Sequence, residues 1–295
     1  MTEGFDPAAE GRFWAFVCER QRIWRKRFVE LLPPPWTDDP VLREWRFTNV
    51  YRDLDAGTAY CRAKILRHAG ASFEDRAFNV MVLRLVGRWQ THEALGFRTA
   101  ASFRAPQFAL LAKELRERGE PVYTGSYQVS SYGRGSMDEN VGLVLEALAL
   151  QFGDLWALLR KCETPERAFE LLRSMRGYGE FLAYQCLVDM TMPFNTAAEA
   201  DDSAKLLGLS LADWVVAGPG ARRGLAAMGW ARDPLDGMRA LRDRQVPETV
   251  DRGLQFDWLE DTAGAVIPLS LVDIEHSLCE FARYVAGRTR LRFGR

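Results

Sequence analysis

In the stretch Phe47-Thr48-Asn49-Val50-Tyr51-Arg52, three polar side chains and a tyrosine interrupt an apolar, tryptophan-rich pattern that a purely packing helix would not need to break. If the segment is helical, Arg46, Asn49 and Arg52 recur every three residues and stand nearly one above another, with Tyr51 to the side. Such a column suits phosphates or the edge of a base; the plainer reading pairs Arg52 with Asp53 or Asp55. Gly218-Pro219-Gly220-Ala221 opens a helix and is followed at once by Arg222 and Arg223. Backbone N–H groups and guanidinium charge together suit an anion there, although an ordinary turn has the same composition. Leu172 to Ala183 reads as helix, tight turn and helix around Gly177-Tyr178-Gly179. The glycines permit close backbone approach and the next helix start faces a phosphate, a way to hold a nucleic-acid backbone without reading sequence. An ordinary helix–helix turn is the alternative. Near the end, Asp273, His276, Glu280, Arg283 and Tyr284 follow i, i+3, i+4 spacing, so several of them share a helix face that is either catalytic or a set of solvated pairs. Gln185 and Asp189 carry an amide and a carboxylate suited to the polar edge of a flipped pyrimidine.

The elements that must position these groups are helices. Phe13, Trp14, Phe16, Val17, Ile23, Trp24, Phe28, Leu31 and Leu32 predict a helix over 8–32, stopped by Pro33-Pro34-Pro35. Asp38, Asp39 and Pro40 open the next segment, and 49–68 sets Val50, Leu54, Cys61, Ile65 and Leu66 on an apolar face. Ser72 caps a helix to about Val86, and 90–119 carries one or two more. Residues 122–135, with Tyr123, Tyr127 and Tyr132 among glycines and hydroxyls, break the period and read as a loop that either lines a site or simply packs on the surface. Helices follow over Met137 to Gln151, Phe152 to Lys161, Thr164 to Met175 (with Pro165 in its first turn) and Glu180 to Met190. Another starts near Ala221, 229–265 is loop-rich with short helices, and a last helix spans about 269–286. The expected fold is mainly α with few or no strands: an N-terminal helix and Pro-rich turn over 1–39, then one compact unit over 40–295.

With 295 residues, 47% of them apolar, the chain can bury a large core. Its five cysteines form no CxxC pair and its three histidines are dispersed, which predicts reduced, mostly buried thiols and no structural metal. Magnesium brought in on a phosphorylated substrate needs only one or two carboxylates. The net charge of −1 argues against a uniformly basic nucleic-acid module, yet basic residues cluster at Arg20, Arg22, Arg25, Lys26 and Arg27 and again at Arg283, Arg288, Arg290, Arg292 and Arg295. No uninterrupted apolar run reaches the ~18 residues of a membrane span, and Met1 to Glu10 lacks a secretory pattern, so a cytoplasmic location and no membrane partner are expected. No GxxxxGK[ST] occurs, which argues against a P-loop kinase.

Four motifs in one order, Phe47 to Arg52, Gly177-x-Gly179 through Gln185, Asp213-Trp-Val-Val-Ala-Gly-Pro-Gly-Ala221 and Asp273-Ile-Glu-His-Ser-Leu-Cys-Glu-Phe281, carry a resemblance over roughly residues 40–290. The sequence resembles the helical domain of 5-hydroxymethyl-deoxyuridine DNA kinases. It resembles equally the alpha-glutamyl/putrescinyl thymine pyrophosphorylases, or amino acid:DNA transferases, of phage thymine hypermodification. The resemblance implies a helical architecture like that of helix-hairpin-helix DNA glycosylases, acting on 5-substituted uracil in double-stranded DNA in a bacterium or phage-infected host. A kinase supplies a 5-pyrophosphoryloxymethyl group and the transferase displaces pyrophosphate with an amino acid or polyamine. The absent P-loop favours the transferase branch; a DNA glycosylase and a non-catalytic DNA-binding module are the other readings. The closing motif departs from the family at Ala282-Arg283, where Asp-Lys is common. For the transferase, the expected proton acceptor is Asp213 or Glu280. Arg52, Arg222 and Arg223 with the helix start at Gly218 and Gly220 would stabilise pyrophosphate. Asn49, Tyr51, Gln185, Asp189 and His276 would bind substrate, and Gly177, Gly179, Gly218 and Gly220 would meet the DNA backbone. Asp201 or Asp202 is the alternative glycosylase-like carboxylate.

Overall fold

Side chains that satisfy the first free N–H groups set most helix starts. The computed structural model describes residues 4–125, 130, 133, 135–199 and 204–287. Asp6 accepts the Ala9 N–H at 2.8 Å and, with Pro7, begins α1 (Pro7–Phe28). Asp39 accepts from Val41 and Leu42 at the head of α2 (Pro40–Glu44). α3 (Ala56–Tyr60) runs on as a π-helical turn, Cys61–Leu66. Ser72 caps α4 (Phe73–Val86), which is followed by α5 (Trp89–Leu95), α6 (Ala105–Glu117) and α7 (Met137–Leu159). Thr164 caps α8 (Pro165–Arg173); α9 (Glu180–Thr191), α10 (Pro219–Ala227), α11 (Pro234–Asp251) and α12 (Leu271–Val285) complete the helices, the last with Ser270 and Asp273 in a capping box. The strands among the described residues are β1 (Leu259–Glu260) and β2 (Val266–Ile267), an antiparallel pair with Leu259 opposite Ile267. The fold is mainly α, as expected.

The chain divides into two compact units. The first comprises Met1–Asp55, Thr196–Ala200 and Leu211–Arg295, and the second Ala56–Asn195 and Asp201–Ser210. The expected boundary after residue 39 therefore falls inside the first unit, and 40–295 is divided between the two. In the first unit, Phe13, Phe16 and Phe281 are buried, with ring centres 5.4 Å (Phe13–Phe281) and 5.7 Å (Phe16–Phe281) apart, and Tyr284 stacks on Phe16 at 4.6 Å. In the second, Phe78 meets Phe152 edge-on at 5.2 Å, and Asp189, fully buried on α9, takes both oxygens to Arg84 at 2.5 and 2.6 Å.

Three expected boundaries differ. α7 is one helix rather than two because Leu148, Phe152, Leu155 and Leu159 continue a single buried face across the expected break. By length and composition alone it could cross a membrane, and close to half of its most apolar window is buried. α11 occupies ground expected to be loop-rich; it carries Pro247 and a largely polar surface, both of which hide a helix from periodicity. It is held by ionic contacts of Arg244 and Arg252 with Glu10 and Glu248. α1 stops at Phe28, ahead of the prolines, because Leu31 turns into the left-handed region at φ 54. Most of 126–134, Asp201, Asp202 and the basic residues Arg288, Arg290, Arg292 and Arg295 lie outside the described residues.

Candidate functional site

Residues 45–51 do not continue as a helix, so the expected column of Arg46, Asn49 and Arg52 does not form. Side chains have taken the backbone groups that a helix would use. Asp55 accepts the Asn49 N–H at 3.0 Å, the Asn49 amide donates to the Leu54 carbonyl at 2.6 Å, and Asp273 Oδ1 accepts the Arg52 N–H at 2.7 Å. From α1, the buried Arg20 guanidinium donates to the Thr48 carbonyl (2.8 Å), the Asn49 carbonyl (2.9 Å) and the Ser277 hydroxyl (3.3 Å). Tyr51 donates its phenol to the Ile267 carbonyl at 2.7 Å and is 4% exposed. The polar groups of Asn49 and Tyr51, expected to bind substrate, thus hold this turn in place.

Around the turn, α12 gathers charge. His276 Nε2 lies 3.4 Å from Asp55 Oδ2. Burial alone would raise the Asp55 carboxyl, but hydrogen bonding and charge from His276, then Arg52 and the Asn49 N–H, hold it below its ordinary range. Glu275 is 6% exposed, and burial lifts its carboxyl above the ordinary range against the pull of His276, the Cys279 thiol and Arg52. Its Oε1 accepts from Cys279 Sγ at 3.3 Å and sits 3.8 Å from where a Cβ on Gly218 would lie, beside the start of α10. Asp273 is raised by burial too, though its oxygens are committed to the Arg52, Ser270 and capping-box contacts. Glu280, 3% exposed, takes Arg283 at 2.7 Å. Burial lowers Arg20 to about 10, while Glu280 and Asp55 act to raise it.

Arg52, His276, Glu280 and Gly218 thus belong to one polar cluster, with Asp55, Asp273 and Glu275. Asp213 stands apart from those contacts: its side chain is 75% exposed and paired with Arg242 at 2.9 Å, and its carbonyl accepts from Arg239 at 2.6 Å. Arg222 and Arg223 are exposed on α10, where Arg222 Nε donates to the Ala217 carbonyl at 2.9 Å. Gly220 has a structural use: a Cβ there would meet Cys279 Sγ at 2.8 Å and its Cα at 3.3 Å. Gly177 and Gly179 lie in the other unit, on the turn between α8 and α9. Gly177 has φ 90, which requires glycine, and Gly179 has φ −66 with open space where a Cβ would be. Gln185 and Asp189 are buried on α9, the latter locked to Arg84. Among the described residues no group of three or more His, Cys, Asp or Glu side chains is placed to hold a metal ion.

Glu275 was missed by residue-by-residue reading, although a signal existed. Leu271, Ile274, Glu275 and Leu278 follow the spacing of a buried helical stripe, so Glu275 is a carboxylate inside an apolar face.

A family model described as 5-hmdU DNA kinase, helical domain, matches residues 8–291. The 5-hmdU DNA kinase of Bacillus phage SP10 is 27% identical over 245 residues, covering 75% of this chain and 37% of that protein. The chain therefore matches little more than a third of that relative's length. No solved structure matches.

Proposed function

The chain belongs to the family defined by the helical domain of 5-hmdU DNA kinases, and from that premise we propose that it acts in hypermodification of thymine in DNA. The reading is a transferase working on 5-(pyrophosphoryloxymethyl)uracil. The bond between the 5-methylene carbon and the pyrophosphate oxygen breaks, helped by electron release from the uracil ring. An amine forms the new C–N bond and gives up one proton. Pyrophosphate leaves, and any magnesium present arrives and departs on its oxygens.

The observation that carries this reading is Glu275, a buried carboxyl raised by desolvation beside the Arg52 guanidinium and the start of α10. A carboxylate of raised basicity suits proton removal from the attacking ammonium or amine. A guanidinium and the positive end of a helix suit the departing pyrophosphate. Glu275 replaces Asp213 as the proposed proton acceptor, because Asp213 is exposed and held by Arg242. In this reading His276, 3.4 Å from Asp55, helps to orient the substrate beside Glu275. Asn49 and Tyr51 position the turn that carries Arg52, and double-stranded DNA, an amine donor and a kinase acting one step earlier are the implied partners.

Mass spectrometry of nucleosides, free bases and pyrophosphate tests the reading, after incubation with DNA bearing 5-(pyrophosphoryloxymethyl)uracil and a pool of amino acids and polyamines. An amine-bearing nucleoside with equimolar pyrophosphate is expected. Free modified base with abasic DNA would replace the transferase by a glycosylase, and unchanged DNA would remove the enzymatic reading for this substrate.

A further inference from the structure

Beyond Phe28 the chain sets four large apolar side chains in solvent: Phe28 (53% exposed), Val29 (57%), Leu31 (78%) and Leu32 (46%). Leu31 has φ 54, backbone that glycine adopts freely and that a residue with a Cβ resists. Folding alone would favour glycine at this turn, yet the site holds an outward leucine. The turn is braced around it. Lys26 Nζ donates to the Trp36 carbonyl and the Trp36 indole N–H to the Leu32 carbonyl, both at 2.7 Å. The Arg27 guanidinium lies 4.8 Å from the Phe28 ring centre and 4.7 Å from that of Trp36.

The surroundings carry positive charge. Arg27 is held below its ordinary range by burial and by the nearby charge of Arg46, so two cations are close together at the base of an apolar tip. Arg22, Arg25 and Lys26 lie on the last two turns of α1; Glu19 takes Arg22, and Glu30 and Asp257 take Arg25. A second copy of the chain docking through this tip would bring Arg27 and Arg46 toward their own counterparts. A polyanion whose interior is apolar satisfies both features.

We propose that residues 28–36 form a wedge for duplex DNA, with Leu31 entering between base steps while Arg27, Lys26 and Arg46 meet the flanking phosphates. The proposal rests on the DNA-modification reading and adds to it the place where the duplex is opened.

The test uses the full chain and a duplex carrying 5-hydroxymethyluracil beside 2-aminopurine. Wild-type protein is expected to bind and to raise 2-aminopurine emission as the neighbouring step unstacks. Leu31→Gly removes the side chain while suiting the backbone, so its melting temperature is expected to hold or rise. It should lose the emission rise and bind duplex about tenfold more weakly, with single-strand binding changed little. Arg27→Gln should reduce the salt dependence of binding by about one phosphate. Wild-type binding and emission matched by Leu31→Gly would overturn the wedge alone. A wild-type chain that ignores DNA but binds vesicles containing anionic lipid would overturn the wedge and the DNA reading together.

Discussion

Glu275 and Asp213 make opposite claims on the proton-acceptor role, and substitution separates them. Glu275→Gln keeps the shape of the side chain and removes its basicity, so turnover on 5-(pyrophosphoryloxymethyl)uracil DNA should fall by about 10²-fold or more with little change in melting temperature. Asp213→Asn, on an exposed carboxylate paired with Arg242, should leave turnover within about twofold, since surface pairs contribute ~1 kcal/mol or less. The reverse ranking would return the role to Asp213. A second residue should contribute to acid sensitivity. His92 is 2% exposed, meets the Tyr60 hydroxyl at 2.9 Å and Asn79 Oδ1 at 3.2 Å, and is lowered by burial from 6.5 to about 4. Its folded pKa lies below its unfolded one, so the unfolded chain binds the proton more readily. Its contribution is complete above pH 6.5 and is lost as pH falls toward 4, amounting to roughly 3 kcal/mol. Thermal melts across that window should slope less steeply for His92→Gln than for the wild type; equal slopes would assign the acid loss elsewhere.

α10 and α12 lie so close that their contact is set by missing side chains. A Cβ on Gly224 would fall 2.4 Å from the Leu278 carbonyl oxygen, and one on Gly220 would fall 2.8 Å from Cys279 Sγ. Gly224→Ala must push α12 backbone aside and should cost ~3 kcal/mol, visible in urea unfolding; Gly220→Ala strikes a side chain first and should cost less. Because α12 carries Asp273, Glu275 and His276, activity should fall with Gly224→Ala even where the protein remains folded. Gly179→Ala should behave differently. It meets open space at an ordinary φ, so stability should change by less than about 1 kcal/mol, while weaker DNA binding would mark its turn as a backbone contact. Of the elements, caps announced by Ser72, Thr164 and Pro165 were legible because they depend on neighbours in sequence. The turn at 45–51 was not, because Arg20 on α1 captures its carbonyls and Asp273 captures the N–H of Arg52 that follows it. α11 was hidden for a related reason: part of its support comes from Glu10 on α1, and its own pattern is polar and broken by Pro247.

At the scale of the whole molecule, a net charge of −1 means that the proposed DNA binding would have to come from local clusters. The logarithm of affinity should fall linearly with the logarithm of salt concentration, by about 0.9 for each phosphate met. A flat anisotropy titration between low and physiological salt would exclude a phosphate-holding surface. The sequence by itself determined the helical class and most helix starts, since period and capping are local properties. Four motifs in a fixed order also pointed to the helical domain of 5-hmdU DNA kinases, one of the two families they resembled, without specifying any contact within it. The sequence singled out Arg52, His276 and Glu280 as candidate site residues, although it set Arg52 in a helical column that does not form. Tertiary structure alone decided that Asp189 is spent on Arg84, that Gly220 serves packing, that Asp213 faces solvent and that Glu275 is buried next to the start of α10. Those distinctions rest on burial and on partners distant in sequence, such as the 221 residues that separate Asp273 from Arg52. Whether a carboxylate is solvated or desolvated is a property of what surrounds it, and the linear order of residues does not contain that.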